Sequence, residues 1–337
     1  MSQKKLFFFT IFCFAYLFTQ AQYKGHNIAG IVGFYNVENL FDTEDDPKIN
    51  DEEYLPNGKN EWSDERYQSK LNNIARVIKD MRPDILGLSE IENRRVLEDL
   101  VQVNSIKNMG YQIIHFDSPD LRGVDVGIIY KPSIYKPFSA KAFPFIDKTN
   151  PDFKTRDILL SSGVLSNKDT VHFIVNHWTS RRGGGGEDKR MISAQIVRNI
   201  SDSLILRNPS AKIIITGDFN DDPRDKSVKK ILNATDNLKE DQQLYNTSYP
   251  TFKRGYGSLY YNGAYNLFDQ IIISQQLLTD NSSTLYYIPE SFTIAAHPYM
   301  QVVEGKDLGA PFRTFSYGKY LNGYSDHFPV FIVLGSK

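Results

Sequence analysis

Cysteine is almost absent. The chain has one in 337 residues, Cys13, and it sits in an apolar N-terminal run. Once that run is cleaved off no thiol is left, which excludes disulfides and thiolate metal sites. Charge of one sign is lacking too. Lys and Arg number 39 against 40 Asp and Glu, a formal net charge of −1. No global basic field advertises nucleic acid, so any such contact must come from a local patch. Nor is there an internal repeat, a long low-complexity tract or a linker that would divide the chain. The glycine-rich segment 183–186 is not followed by Gly-Lys-Ser/Thr, so a nucleotide-binding loop of that type is excluded.

What is present is a globular composition: 41% hydrophobic and 23% charged residues, enough for a packed core. Aromatics reach 13%, carried by 20 Tyr and 22 Phe, which favours pleated surfaces. At the N-terminus, Lys4 and Lys5 precede an apolar run from Leu6 to Phe18, and Thr19, Gln20 and Ala21 form a small or polar exit. The run is too short to span a membrane comfortably and has the anatomy of a secretory signal; an uncleaved anchor is the alternative. The expectation is a signal peptide over 1–21, one domain over 22–337, and a secreted or periplasmic protein. Loss of the two lysines moves the net charge from −1 to −3.

Along the chain, an alternating strand over 31–37 leads into an acidic, polar loop at 42–62. Ser63 reads as a helix N-cap, with Asp64 and Glu65 in the first turn and Pro83 as the stop. Tyr67, Leu71, Ile74, Ile78 and Met81 recur at helical spacing. A buried strand follows at 84–90. Further strands are predicted at 111–116, 124–130, 155–165, 171–177, 212–217, 268–274 and 328–334, with helices at 93–104 and 188–206. Many short strands and few helices favour a mixed-sheet sandwich with outer helices.

Polar residues gather where these apolar strands end. Asn36 follows Gly-Phe-Tyr, Glu90 follows Ile-Leu-Gly-Leu-Ser, and His177 ends His-Phe-Ile-Val-Asn-His. Asp218 and Asn220 follow Ile-Ile-Ile-Thr-Gly, Asp269 opens Asp-Gln-Ile-Ile-Ile, and Asp326 and His327 precede Phe-Pro-Val-Phe-Ile-Val. In a layered fold, strand ends meet at one rim. Carboxylate and amide oxygens suit a hard cation such as Mg2+ or Mn2+. Such a cation polarises a phosphoryl oxygen, and a His beside a carboxylate serves as acid, base or charge stabiliser.

The motifs Tyr35-Asn36-Val37-Glu38-Asn39-Leu40, Leu88-Ser89-Glu90-Ile91-Glu92, Asn176-His177-Trp178, Gly217-Asp218-Phe219-Asn220-Asp221, Phe268-Asp269-Gln270-Ile271 and Ser325-Asp326-His327-Phe328-Pro329, in this order, resemble the signatures of the endonuclease/exonuclease/phosphatase family across about residues 27–335. The resemblance implies a four-layer α/β sandwich, two packed mixed β-sheets flanked by helices. It also implies a divalent-metal-dependent hydrolase of phosphate esters. Transferred by motif, Asn36, Glu90 and Asp326 are the candidate metal site. His177 would donate to the scissile phosphate, Asp218 would orient or deprotonate water, Asn220 would hold a phosphate oxygen, and Asp269 would fix the tautomer of His327.

Three arginines are candidates for substrate contact. Several family members carry a phosphate-contacting tyrosine near residue 122; none occurs here, and Arg122 is read as a clamp or a surface salt-bridge partner. Arg156 matches a position where the family's nucleases often contact substrate. Arg181 opens the loop 180–186, read as phosphate-binding or as a flexible connector, and Arg190 beyond it reads as solvated. His115, His172 and His297 lie outside the motifs and receive no role. Tyr249 to Tyr265 form an aromatic-dense segment, suited to packing or to base stacking. The leading expectation is a secreted nuclease acting on DNA or RNA. A phosphatase or phosphodiesterase for lipid headgroups or small phosphate esters is the alternative. The chain is expected to act as a monomer with no stable protein partner.

Overall fold

Burial along each element follows the period that its sequence sets. In this computed structural model the described residues are Tyr23, 25–181, 186–278 and 284–337. The expected signal segment 1–21 with Cys13, and residues 182–185 of the glycine loop, lie outside them. Chain order begins with β1 (Asn27–Leu40), α1 (Asp64–Met81), β2 (Ile85–Ile91), α2 (Arg94–Gln102), β3 (Gln112–His115) and β4 (Asp125–Tyr130). Next come β5 (Tyr135–Phe143), β6 (Ile158–Leu165), β7 (Thr170–His177), α3 (Glu187–Arg207) and β8 (Lys212–Asp218). The short β9 (Ala234–Thr235), β10 (Leu244–Asn246), α4 (Tyr249–Lys253), β11 (Leu259–Tyr261) and β12 (Ala264–Asn266) precede β13 (Asp269–Ile273). Then follow β14 (Leu285–Tyr287), β15 (Thr293–Ile294), β16 (Phe315–Ser316), β17 (Lys319–Tyr320) and β18 (Val330–Ser336).

Two seven-stranded sheets form. The first runs β14-β18-β1-β2-β4-β3, with β15 also on β18; the second runs β5-β6-β7-β8-β13-β10-β9. Each has a parallel pair at its centre, β1 with β2 and β7 with β8, flanked by antiparallel neighbours. Val32, Phe34, Phe173, Val175, Ile214, Ile271, Val330 and Ile332 fill the space between the sheets. Leu71, Ile74 and Ile78 of α1 cover the outer face of the first sheet over Leu86 and Leu88. Ala194 and Val197 of α3 cover the second over Ile213 and Ile215. The result is the expected four-layer α/β sandwich.

Helix α1 starts as its residues dictate: the Ser63 side chain accepts from the Arg66 N–H, and Arg82 ends it in the left-handed region before Pro83. Strand β5 was not anticipated, because Pro137 breaks its pattern. It lies at the edge of the second sheet, where a missing N–H leaves no central ladder bond unmade. Among the described residues no helix is long and apolar enough to cross a membrane.

Candidate active site

The reactive groups occupy the place where the core between the sheets stops being apolar. Side chains alternate along a strand. Asn36 therefore shares a face with Val32 and Phe34, His177 with Phe173 and Val175, Asp218 with Ile214, and Asp269 with Ile271. Each is the last or first residue of that inward face, and the second sheet's register sets His177 opposite Asp218 and Asp218 opposite Asp269. Gly217 is needed here: a Cβ on it would lie 2.3 Å from the Asn176 carbonyl oxygen, forcing β7 and β8 apart.

Glu90 reaches the same place by a different device. Leu86 and Leu88 face the helices, so simple alternation would bury Glu90 with them. Between Ser89 and Ile91 the pairing with β4 slips by one residue, and Glu90 adopts φ 61°. This bulge turns the carboxylate towards the second sheet and returns Ile91 to the helix-facing core. At the end of β1, Glu38 and Asn39 both take φ 54°, and Asn220 takes φ 48°. Left-handed backbone at non-glycine residues concentrates at functional sites.

The centre of the cluster is Asp218 Oδ2. Asn36 Nδ2 donates to it at 3.0 Å, and the Nε2 atoms of His177 and His327 lie 3.7 and 3.8 Å away. Asp218 Oδ1 accepts from the Asn220 N–H at 2.9 Å. Asn220 Nδ2 donates to the Trp178 carbonyl at 2.9 Å, leaving its second amide hydrogen. His327 Nδ1 pairs with Asp269 Oδ2 at 2.7 Å, and Ser258 donates to the same oxygen at 2.5 Å. Burial opposes ionisation of His327, but the charges of Asp269 and Asp218 hold its pKa well above the usual value. His177 is the opposite case: burial, then the positive charges of Arg156, Arg122 and His327, hold it well below. Burial also raises Asp218 to about 7, with Asp269 adding to the rise against the opposing charge of His327. Two histidines in one cavity thus differ in charge at neutral pH, a separation that assigns acid and base tasks.

A divalent cation fits part of this set. Glu90 Oε2 accepts from the Asn39 N–H at 2.9 Å. Its Oε1 has no hydrogen-bond donor among the described residues and lies 3.8 Å from His177 Nε2. Asp326 Oδ2 is engaged by Arg313 at 2.8 Å, while Oδ1 lies 3.9 Å from His327 Nε2. Two carboxylate oxygens and the amide oxygen of Asn36 make a hard-donor set. Asp218, Asp269 and His327 also lie close enough to be considered as a cation cage. Their short hydrogen bonds, which occupy Asp269 Oδ2 twice, make them a proton-handling group instead.

Below the site lies a buried charge network that the sequence gave no sign of. Lys70 projects from α1, 1% exposed, and donates to Thr314 Oγ1 at 2.6 Å and the Tyr324 carbonyl at 2.9 Å. Glu38 accepts from the Thr314 N–H at 2.6 Å and from Arg313 Nε at 3.3 Å. Burial lowers Lys70 to about 8 against the charges of Glu38, Asp326 and Glu90, and raises Glu38 to about 7. Removing one member leaves the others uncompensated, at about 3–5 kcal/mol. Lys70→Met is therefore expected to lower the unfolding free energy by about that amount in urea titration. A change within about 0.5 kcal/mol would mean the network is not coupled.

The three candidate substrate arginines end up in different situations. Arg122 stands at the rim, 51% exposed, with Nη2 2.6 Å from Asn39 Oδ1 and 3.9 Å from Glu90. Arg156 is buried and bonded to Asp120 and to the His177 and Trp178 carbonyls at 3.0, 3.2 and 2.7 Å, so it fastens the end of β7. Arg181 binds the Asn220 carbonyl and Asp221 at 2.8 and 2.9 Å, pairs with Asp225, and lies over the Phe268 ring. Arg190, expected in solvent, is buried 2.8 Å from Asp221. The signal for these placements would have been the acidic residues Asp120, Asp221 and Asp225, which lie too far along the chain for local patterns to pair.

Hard-oxygen donors, a histidine–aspartate dyad and a carboxyl tuned near neutrality are the equipment of a divalent-metal-dependent hydrolase of phosphate esters. The chain belongs to the Endonuclease/Exonuclease/phosphatase family, matched over residues 31–336. Its fold is similar to that of a mannosyl-6-phosphatase from Bacteroides thetaiotaomicron, with TM-score 0.57 and 17% identity over 90% of this chain and 98% of that one. It is likewise similar to the human Nocturnin catalytic domain with bound sulfate, with TM-score 0.56 and 15% identity over 93% and 96%. For humanized D. rerio TDP2 the TM-score is 0.54, with 14% identity over 91% and 100%. No curated protein matches the sequence.

Proposed function

We propose that this phosphoesterase is an exported nuclease that hydrolyses phosphodiester bonds of DNA or RNA. The observation that carries the substrate class is the aromatic hairpin beside His327. Strand β11 bridges to His327 through Leu259, and Ser258 of the same segment bonds Asp269. Tyr261 and Tyr265 on this hairpin, with Tyr256 before it, are 66%, 37% and 45% exposed. Aromatic faces at a catalytic rim suit the stacking of unpaired bases. A D. rerio TDP2 of similar fold (TM-score 0.55) has been solved with a single-strand DNA product. Export rests on Lys4, Lys5 and the apolar run that follows them.

In this reading Asn36, Glu90 and Asp326 hold Mg2+ or Mn2+. When bound, the cation polarises a phosphoryl oxygen and stabilises the leaving oxygen. Asp218 orients the attacking water and accepts its proton, for which a pKa near the working pH is suited. Neutral His177 donates from Nε2 to a phosphoryl oxygen. The remaining amide hydrogen of Asn220 contacts a second oxygen. His327, kept cationic by Asp269, stabilises the charge that builds on the phosphate. Arg122 binds the phosphate from the rim, while Arg156 and Arg181 act by holding the β7 and β8 ends.

One observation favours a small phosphate ester as substrate: with Arg156 and Arg181 bound to carboxylates, few cations face a polyanion. The two readings separate in an assay of single-stranded DNA, RNA, sphingomyelin and sugar phosphates with Mg2+ and with chelator. Polynucleotide is expected to be cleaved. The double variant Tyr261→Ala, Tyr265→Ala should raise KM for single-stranded DNA about 5–100-fold, the worth of a stacked base, and spare a small aryl phosphodiester. Hydrolysis of sugar phosphate or lipid without polynucleotide would reverse the assignment.

A further inference from the structure

The loop after β1 gathers carboxylates that have no cation. Asp42, Asp51 and Glu92 are 6%, 1% and 6% exposed. Among the described residues none of them pairs with Lys, Arg or His. They form one group. The Asp42 N–H donates to Glu92 Oε2 at 2.6 Å and the Asp46 N–H to Asp51 Oδ2 at 2.9 Å. The charges of Asp42, Asp51 and Asp46 all bear on Glu92. Asp42 accepts from the Glu44 N–H at 2.8 Å and from Asn93 at 3.3 Å. These bonds orient the carboxylates without neutralising them, and like charges held out of water repel. Independently of the clustering, Asp51 Oδ1 is fully buried with no hydrogen-bond partner. A buried carboxylate oxygen left this way calls for a ligand.

We propose that Asp42, Asp51 and Glu92, with Asp46 at the mouth, hold a second divalent cation of the calcium kind. Every donor is an oxygen and no imidazole or thiol is present, which selects a hard ion. The donors come from an irregular loop, which Ca2+ tolerates better than Mg2+. The site is separate from the catalytic one but linked to it. The Asn50 N–H donates to the Leu121 carbonyl at 3.0 Å. Gly123, at φ 67°, lies so close to Ile49 that a Cβ would be 2.1 Å from its Cδ1. A cation that fixes residues 42–51 thereby fixes the turn that carries Arg122 to the catalytic rim.

The test is thermal unfolding and calorimetric Ca2+ titration of the full chain, with and without chelator. Ca2+ should raise the midpoint by several degrees, and Glu90→Gln should keep that rise. Asp51→Asn should lose it and weaken Ca2+ binding at this site at least tenfold. In chelator, Asp51→Asn should unfold no lower than the parent, since one of the repelling charges is gone; Glu92→Gln should behave alike. The proposal fails if the parent does not respond to Ca2+, if the rise survives in Asp51→Asn, or if it vanishes in Glu90→Gln. It also fails if both neutralised variants are less stable than the parent in chelator, as they would be if the carboxylates served only to accept N–H groups.

Discussion

Asp269→Asn should leave the protein folded and lower kcat by about 10³–10⁴-fold, the scale seen when a catalytic histidine loses its orienting carboxylate. The substitution is isosteric and keeps an oxygen for Ser258. What it changes is His327. The carboxylate accepts from Nδ1 at 2.7 Å, directing the other nitrogen at the reaction centre. An amide can instead offer an N–H to Nδ1, which reverses the tautomer. It also removes the largest charge that holds His327 protonated. Steady-state kinetics on a small phosphodiester, with near-ultraviolet circular dichroism as a control for folding, measures the effect. A variant within tenfold of the parent would remove the dyad from the mechanism.

Glu90→Gln should lower kcat/KM by about 10³-fold at limiting metal, because several kcal/mol of charge stabilisation depend on the cation and each 1.36 kcal/mol is tenfold. Gln retains an acceptor for the Asn39 N–H, so the bulge at φ 61° has no new reason to unfold. Excess Mg2+ or Mn2+ should restore part of the activity, and the half-saturating metal concentration should rise. Unchanged metal dependence would place the cation elsewhere. Asp218, Asp269 and His327 would then need reconsidering as ligands.

Much of this geometry was legible in the sequence, for a physical reason. Asn36, Glu90, His177, Asp218, Asp269 and His327 each interrupt an apolar strand at its end, and strand ends of one sandwich meet. The structure brings all six together. What stayed hidden depends on pairings between remote segments. Arg156 looked available because Asp120, its partner at 3.0 Å, lies in another loop. Arg181 and Arg190 met Asp221 in the same way. Lys70 reads as an ordinary polar position of an amphipathic helix, and only the return of residues 312–324 over α1 buries it. The bulge at Glu90 is likewise invisible, since Leu-Ser-Glu-Ile-Glu is compatible with an unbroken strand. Helix bounds came close, 93–104 against Arg94–Gln102 and 188–206 against Glu187–Arg207, because caps and stops are local.

The central parallel pairs of the two sheets have a consequence for how the enzyme ages and fails. Asn36 and Glu90 ride on one slab; His177, Asp218 and Asp269 ride on the other, and only Val, Ile, Leu and Phe contacts keep the slabs aligned. Turnover is therefore a gauge of slab alignment. A slip of an ångström between them, too small to disturb any strand, is enough to silence the enzyme.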